Sequence, residues 1–313
     1  MMAARIHAFG GADAIVVETT PGPILRERDL LIRVAASGVN PIEWKIRSGA
    51  MAKALGRPLP ATLGWECAGV VEAVGSAVTS FRPGDSVYAY PEFTRDGTHA
   101  ELVAVEEAQA ALMPRSLSLI DAAAVPMTAQ AAWTLVETAN LKAGERILVH
   151  GGAGAVGRWL VQFAKRKGAE VLATASGEGL DAVRSLGADR AIDHRVERFE
   201  DAVGGSIDVV ADLVGGETLM RSFALLGKGA RLFSTVQPPP ADRAEAVGAM
   251  VGFVFTQPRG SVLAEIGTLI DAGAVKALPV ALVLPLAEAR RAHELAEVGK
   301  AGGKVVLAAD HPH

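Results

Sequence analysis

Directly after the apolar run ERILVH at 145–150 comes GGAGAVG, in which Gly151, Gly154 and Gly157 stand three residues apart and a helical pattern opens before the last of them. Glycine does three different things in such a corner. One permits the tight turn, one lets main-chain amides approach a pyrophosphate, and one lets helix and strand pack closely. The helix that follows, VGRWLVQFAKRKG, carries Val156, Leu160, Val161 and Ala164 at helical spacing and stops at Gly168. The run AEVLATAS at 169–176 then closes a strand-helix-strand unit of about 30 residues. A tight corner without a ligand is the plain structural alternative. The position inside such a unit, with free amides and the helix dipole at its mouth, favours a dinucleotide. Gly151, Gly152, Ala153, Gly154, Ala155, Val156 and Gly157 are the candidate phosphate loop.

The tip of the second strand reads Thr174, Ala175, Ser176, where an acidic side chain would select NAD by binding the ribose 2′-hydroxyl. No carboxylate stands on the strand itself, which favours NADPH over NADH. Glu178 follows two residues later with no Lys or Arg beside it, so NADH stays open. Further apolar runs at 207–215 and 230–236 alternate with helical stretches, as in an α/β doubly wound parallel sheet. Phe233, Ser234 and Thr235 end the last of these at the carboxyl edge, where ligands bind in open sheets.

The first third has a different texture, with short β-type runs at 30–37, 68–75, 85–90 and 100–105 broken by Gly and Pro. After Pro258 a helix runs to Gly273, followed by ALPVALVLPL, a second helix and the strand GGKVVLAA. The expected division is a β-rich substrate domain from 1–120 and 265–313, and a nucleotide domain from 121–264. QPPPADR at 237–243 reads as an exposed loop. With 31 Lys+Arg against 35 Asp+Glu, nothing points to nucleic acid. The longest apolar stretch, Ala246–Phe255, falls far short of the ~20 residues of a membrane span. The N-terminus has no apolar run behind a basic start, so a cytoplasmic protein is expected.

These motifs occur in the order seen in a known family. AGVVEAVGSAVTSFRPGDSVYA, ERILVHGGAGAVGRWLVQFAKRKGAEVLATAS, LGADRAID and GGKVVLAA together resemble the zinc-independent, zeta-crystallin-like quinone oxidoreductases of the medium-chain dehydrogenase/reductase superfamily. The resemblance implies a Rossmann domain joined to a GroES-like substrate domain, with cofactor and acceptor held between them, and a homodimer formed through the nucleotide-domain sheets. GFVFTQ at 252–257 is the candidate edge strand. Alcohol dehydrogenases of the superfamily hold a catalytic zinc through a Cys and through the His of a Gly-His-Glu triplet. Here the first position is Asn40 and the triplet reads Gly64-Trp65-Glu66. Cys67 is the single cysteine, so the four-cysteine structural zinc is ruled out as well. His99 and His150 have no ligand partner at metal spacing, and no metal is expected.

Without a Lewis acid, hydride transfer from NADPH suits an activated acceptor, a quinone or an α,β-unsaturated carbonyl, whose oxygen one hydrogen bond can stabilise. The resemblance puts Asn40 near the nicotinamide and Lys45 in the substrate cleft, the two candidate catalytic residues; it also puts Thr128 beside the carboxamide of the cofactor, with a helix N-terminal hydroxyl as the plain alternative. The plain alternative for Lys45 is an ion pair with Glu43 or Glu66, and Arg47 is read as a structural partner of the same two carboxylates. Trp44, Trp65, Tyr90 and Phe93 are candidates for lining an apolar acceptor pocket, with core packing as the alternative. The loops from Arg47 to Pro60 and PEFTRDG would shape that pocket. A nucleotide-binding redox sensor with little turnover and an enoyl-thioester reductase remain the rival functions.

Overall fold

The computed structural model describes residues 1–52, 58–299 and 303–309; the middle of the Arg47–Pro60 loop lies outside them. In chain order its strands are β1 (Met2–Ile6), β2 (Ile15–Thr19), β3 (Asp29–Gly38), β4 (Ala61–Thr62), β5 (Cys67–Val74), β6 (Ser86–Ala89), β7 (Leu102–Glu106) and β8 (Ala110–Leu112). There follow β9 (Arg146–His150), β10 (Glu170–Ala175), β11 (Arg190–Asp193), β12 (Ile207–Asp212), β13 (Leu226–Ser234), β14 (Met250–Phe253), β15 (Val280–Pro285) and β16 (Lys304–Ala308). No described helix is long and apolar enough to cross a membrane.

The chain divides into two compact units, Met1–Met127 with Gln257–His313, and Thr128–Thr256. The first is β-rich. Its larger sheet has the order β15-β16-β3-β5-β6-β8, with β7 also on β3, and β2-β1-β4 form a smaller antiparallel sheet. Alternation explains β3: Leu30, Ile32, Val34 and Ala36 are buried, and the first three pack on Val71, Val87 and Val103. A second core gathers Ile6, Ile46, Leu63, Trp65, Tyr90 and Leu307. The sequence pattern did not reveal β1, β2 and β4, which are short or broken by polar residues.

The second unit is a six-stranded parallel sheet in the order β11-β10-β9-β12-β13-β14. Its central strands are apolar on both faces, as burial under helices requires: Ile147, Leu148, Val149, Val209, Val210 and Ala211 are all inaccessible. The stretch 237–243, expected as loop throughout, turns into the helix Ala241–Val247 after Pro240.

The unit boundaries differ from those expected at 120 and 264. On the N-terminal side, Ser118 caps the short helix Leu119–Ala122 and the division falls inside the helix Pro126–Thr138. On the other, the helix Gly260–Asp271 belongs wholly to the β-rich unit. The Tyr88 hydroxyl donates to the Leu263 carbonyl (2.5 Å), and the Asp271 carboxylate accepts from the amides of Arg115 and Ser116 and from the Ser116 hydroxyl. Gly260 sits so close to β8 that a Cβ there would stand 2.3 Å from the Ala110 carbonyl oxygen. Gly260→Ala is therefore expected to cost about 1–3 kcal/mol. Hydrogen exchange should speed up in β6 and β8 and stay unchanged in β9–β13; uniform loosening would contradict this boundary.

Candidate active site

The candidate phosphate loop is built as its glycines demand. Gly151 has φ +72°, and a Cβ on Gly157 would lie 2.2 Å from the Gly151 carbonyl oxygen and 2.7 Å from the Gly152 Cα. Helix Ala155–Arg166 can thus start against the end of β9 only because residue 157 lacks a side chain. Gly154 caps it without a side-chain hydrogen bond. The first-turn amides of Ala155 and Val156 have no place in the helix ladder and, at partly exposed residues, are open to an anion. Ala153, Gly154, Ala155 and Val156 keep solvent exposure, whereas Gly152 is buried against β10, its amide donating to the Thr174 carbonyl (2.9 Å).

A hydrogen-bond chain holds this loop. Ser222 Oγ donates to the Thr218 carbonyl (2.7 Å), so His150 Nε2–H donates to Ser222 (3.0 Å). His150 Nδ1 is left to accept from Thr174 Oγ1 (3.3 Å), which in turn accepts from the Gly151 amide (3.1 Å). Burial holds His150 down to about 4, and the ring is a neutral spacer. The Thr174 hydroxyl, a candidate cofactor contact from sequence, is thereby committed to the loop. Ala175 is buried and Ser176 half-buried at the strand tip. Ser234 is likewise committed: it donates to Asp212 (2.7 Å), whose other oxygen fixes the Val214 and Gly215 amides. The Phe233 ring is buried against Gly252. Their side chains support the carboxyl edge of the sheet and are not presented to a ligand. Thr128 is buried in the first turn of its helix.

In the β-rich unit a buried polar cluster surrounds Asn40. Asn40 precedes the helix Pro41–Arg47 and forms a capping box with Glu43, whose Oε2 accepts the Asn40 amide (2.7 Å). The Asn40 carboxamide donates through Nδ2 to Glu66 Oε1 (2.8 Å) and accepts from Lys304 Nζ at Oδ1 (2.5 Å). Lys304 also forms an ion pair with Glu66, and Glu66 Oε2 accepts the Met127 amide (2.8 Å). Sequence reasoning missed Lys304, which lies in a strand that reads as plain core. Its only signal is a charge inside an apolar β run.

Lys45 pairs with neither Glu43 nor Glu66; both carboxylates have other partners, and the ammonium of this half-buried residue has no side-chain partner among the described residues. Arg47 goes elsewhere too. It bonds Glu297 (2.6 Å), the Gly10 carbonyl and His293 Nδ1 (3.2 Å). The four aromatics separate: Trp65, Tyr90 and Phe93 are buried together in the core, with the Phe93 ring centroid 5.5 Å from Trp65 and 5.8 Å from Tyr90, while Trp44 is half-buried at its edge. Cys67 is buried, and burial pushes its thiol up, away from nucleophilic use.

Two metal questions arise. At the position of the superfamily's catalytic zinc, the Asn40 carboxamide is held by Glu66 and Lys304, and the Trp65 indole lies in the core; neither residue fits a zinc ion. His99, which has no ligand partner in sequence, does acquire two in the fold, since single ligand atoms of Glu43, His99 and His293 lie within 4.8 Å of one another. Glu43 Oε1, His99 Nε2 and His293 Nε2 are buried without a hydrogen-bond partner. Arg47, however, can only donate, so His293 Nδ1 accepts and the ring proton sits on Nε2, among the other two atoms. With that N–H at its centre and a guanidinium behind it, the trio does not fit a cation.

Family models for an alcohol dehydrogenase GroES-like domain and a zinc-binding dehydrogenase match residues 26–115 and 186–307. The chain is 36% identical to an NADPH-dependent alkenal/one oxidoreductase of Arabidopsis thaliana, over 96% of this chain and 77% of that one. It is 30% identical to a quinone oxidoreductase of Mus musculus over 98% of both. The solved quinone oxidoreductase of Coxiella burnetii superposes with a TM-score of 0.91 at 30% identity, covering 98% of this chain and 99% of that one. The chain belongs to the medium-chain dehydrogenase/reductase superfamily, in its quinone oxidoreductase branch. Its fold is accordingly a Rossmann sheet with a GroES-like domain.

Two buried histidines give the fold a defined acid sensitivity. Desolvation lowers both His150, to about 4, and His293, well below the usual range, with His99 and Arg47 adding to the effect on His293. The unfolded chain binds these protons near the ordinary value of about 6.5, the folded one only at lower pH. The stability they contribute is complete above pH 6.5 and is lost as pH falls, by about 1.4 kcal/mol per pH unit for each ring. Denaturant titrations at pH 7.5, 6 and 5 should show this loss, and His150→Gln should reduce the slope. Equal stability at pH 7.5 and 5 would refute it.

Proposed function

We propose that the chain is a homodimeric, zinc-independent reductase that transfers hydride from NADPH to a quinone or an α,β-unsaturated carbonyl. The observation that carries this is Asn40: where zinc-dependent relatives in the superfamily have a metal ligand, this chain has a carboxamide fixed by a buried carboxylate and ammonium. NADPH, when bound, supplies the hydride. The phosphate loop 151–157 would seat its pyrophosphate on open amides. The NADPH preference gains support from β11, because the His194 amide donates to the Ala175 carbonyl (3.2 Å) and so brings exposed His194 and Arg195 to the tip of β10. The sequence alone shows no cation beside that tip.

As an enone or quinone accepts hydride, negative charge grows on its oxygen. Asn40 would stabilise that charge with its remaining N–H, and the unpaired Lys45 ammonium would deliver the proton that completes the reduction. Half-buried Trp44 would offer an apolar face to the acceptor. The relatives named for quinones and for alkenals and enones agree with this substrate class. For the dimer, β14 is the edge of the six-stranded sheet and exposes Met250, Phe253 and, just beyond it, Phe255.

NADPH and NADH titrations followed by nicotinamide fluorescence, then addition of 1,4-benzoquinone or an unsaturated ketone, test this reading. Selective NADPH binding, acceptor-dependent oxidation and turnover without zinc are expected. Binding with no oxidation across a broad acceptor panel would instead mark a sensor. Asn40→Asp keeps an acceptor for Lys304 and removes the N–H, so kcat should fall about 100-fold while NADPH still binds. A monomer by light scattering at micromolar concentration would refute the dimer.

A further inference from the structure

We infer that Lys304 is a positioning residue for this reduction: it fixes the Asn40 carboxamide in the orientation that offers N–H, not C=O, to the acceptor oxygen. The inference rests on the reductase reading above.

A primary amide has two ends of nearly equal shape, and only its neighbours decide which end faces which way. Asn40 has one charged neighbour of each kind. Lys304 Nζ, which can only donate, stands 2.5 Å from Oδ1; Glu66 Oε1, which can only accept, stands 2.8 Å from Nδ2. Turning the amide over would set N–H against ammonium and carbonyl against carboxylate. All three groups are buried, so neither clash would be relieved by water.

Lys304 itself has nothing left for a substrate. Its three N–H groups face Asn40 Oδ1, Glu66 Oε1 and the Val39 carbonyl (3.3 Å). Glu66 is occupied at both oxygens, by Lys304 and Asn40 on one and the Met127 amide on the other. The second Nδ2–H of Asn40 is the one hydrogen of this cluster with no partner among the described residues. The backbone fixes the arrangement as well, since Lys304 opens β16, which pairs with the end of β3, and the Val39 amide donates to the Val305 carbonyl (2.9 Å). The ammonium therefore acts through Asn40.

Kinetics of Lys304→Met and Lys304→Arg across pH 5–9, with thermal unfolding and NADPH binding measured for each, test the assignment. Lys304→Met leaves Glu66 buried without its cation, and burial of an unpaired carboxylate favours its protonated form. As an acid it can donate to Asn40 Oδ1 and turn the amide over. The Cys67 thiol and the Tyr90 phenol, both of which feel the Glu66 charge, are pushed upward by burial and stay neutral across the same pH range. Expected is a kcat that falls at least tenfold on the acid side of a new titration, with NADPH affinity unchanged, and that Lys304→Arg keeps within about threefold of the wild type. If Lys304→Met does not fold, Lys304→Met/Glu66→Gln restores neutrality, and its kcat should be reduced at least threefold without that titration. A folded Lys304→Met or double variant with the wild-type kcat profile would overturn the assignment, as would a folded Lys304→Arg with no activity. Wild-type protein inactive on every quinone and enone would remove the reductase reading and this inference together. Activity lost in Asn40→Asp but intact in Lys304→Met would remove this inference alone.

Discussion

A single buried carboxylate organises the β-rich unit. Glu66 receives the Asn40 amide group, the Lys304 ammonium and the Met127 backbone N–H, and so joins the start of β5 to three segments far from it in sequence. Burying one charge in this way is costly, and removing a partner from such a set typically costs 3–5 kcal/mol. The pair is weak evidence for net stability. Its larger effect is to permit only one arrangement of the groups around it, since the Lys304 ammonium can only donate, the Glu66 carboxylate can only accept, and the Asn40 amide must turn the matching end to each.

The Rossmann unit solves a related problem with neutral groups. A phosphate loop needs free amides at its mouth and a rigid base underneath. The base here is the series Gly151 amide, Thr174, His150, Ser222, in which each hydroxyl both gives and takes and the ring takes at Nδ1 and gives at Nε2. A charged imidazole would carry a donor on both nitrogens and break that order. Burial, by keeping the ring neutral, preserves it.

Much of this was legible in the sequence. The glycine spacing defined the loop because helix-strand contact leaves no space for a side chain at 157, and the apolar runs of β9, β10, β12 and β13 read correctly because a parallel sheet is covered on both faces. The contacts that depend on distant pairing were not legible. Nothing local links Lys304 to Asn40, or His293 to His99 and Arg47. The roles assigned to Thr174 and Ser234 changed for the same reason: a hydroxyl at a strand tip looks available until the turn beside it is seen to use it. The units divided elsewhere than expected because side-chain and main-chain contacts to Ala110, Tyr88 and Ser116, not composition, decide where the helix Gly260–Asp271 belongs.

The discontinuity of the β-rich unit has a consequence for the order in which the molecule is made. Residues 128–256 form one contiguous stretch and can fold as soon as they leave the ribosome, whereas Asn40 meets Lys304 only across a separation of 264 residues. Until β16 emerges, β3 has no partner on that side and Glu66 has no cation. The nucleotide-binding half is thus complete during synthesis at a stage when the half bearing Asn40 is still an open sheet with an exposed edge, and it is this half that is vulnerable to chaperone capture or mispairing.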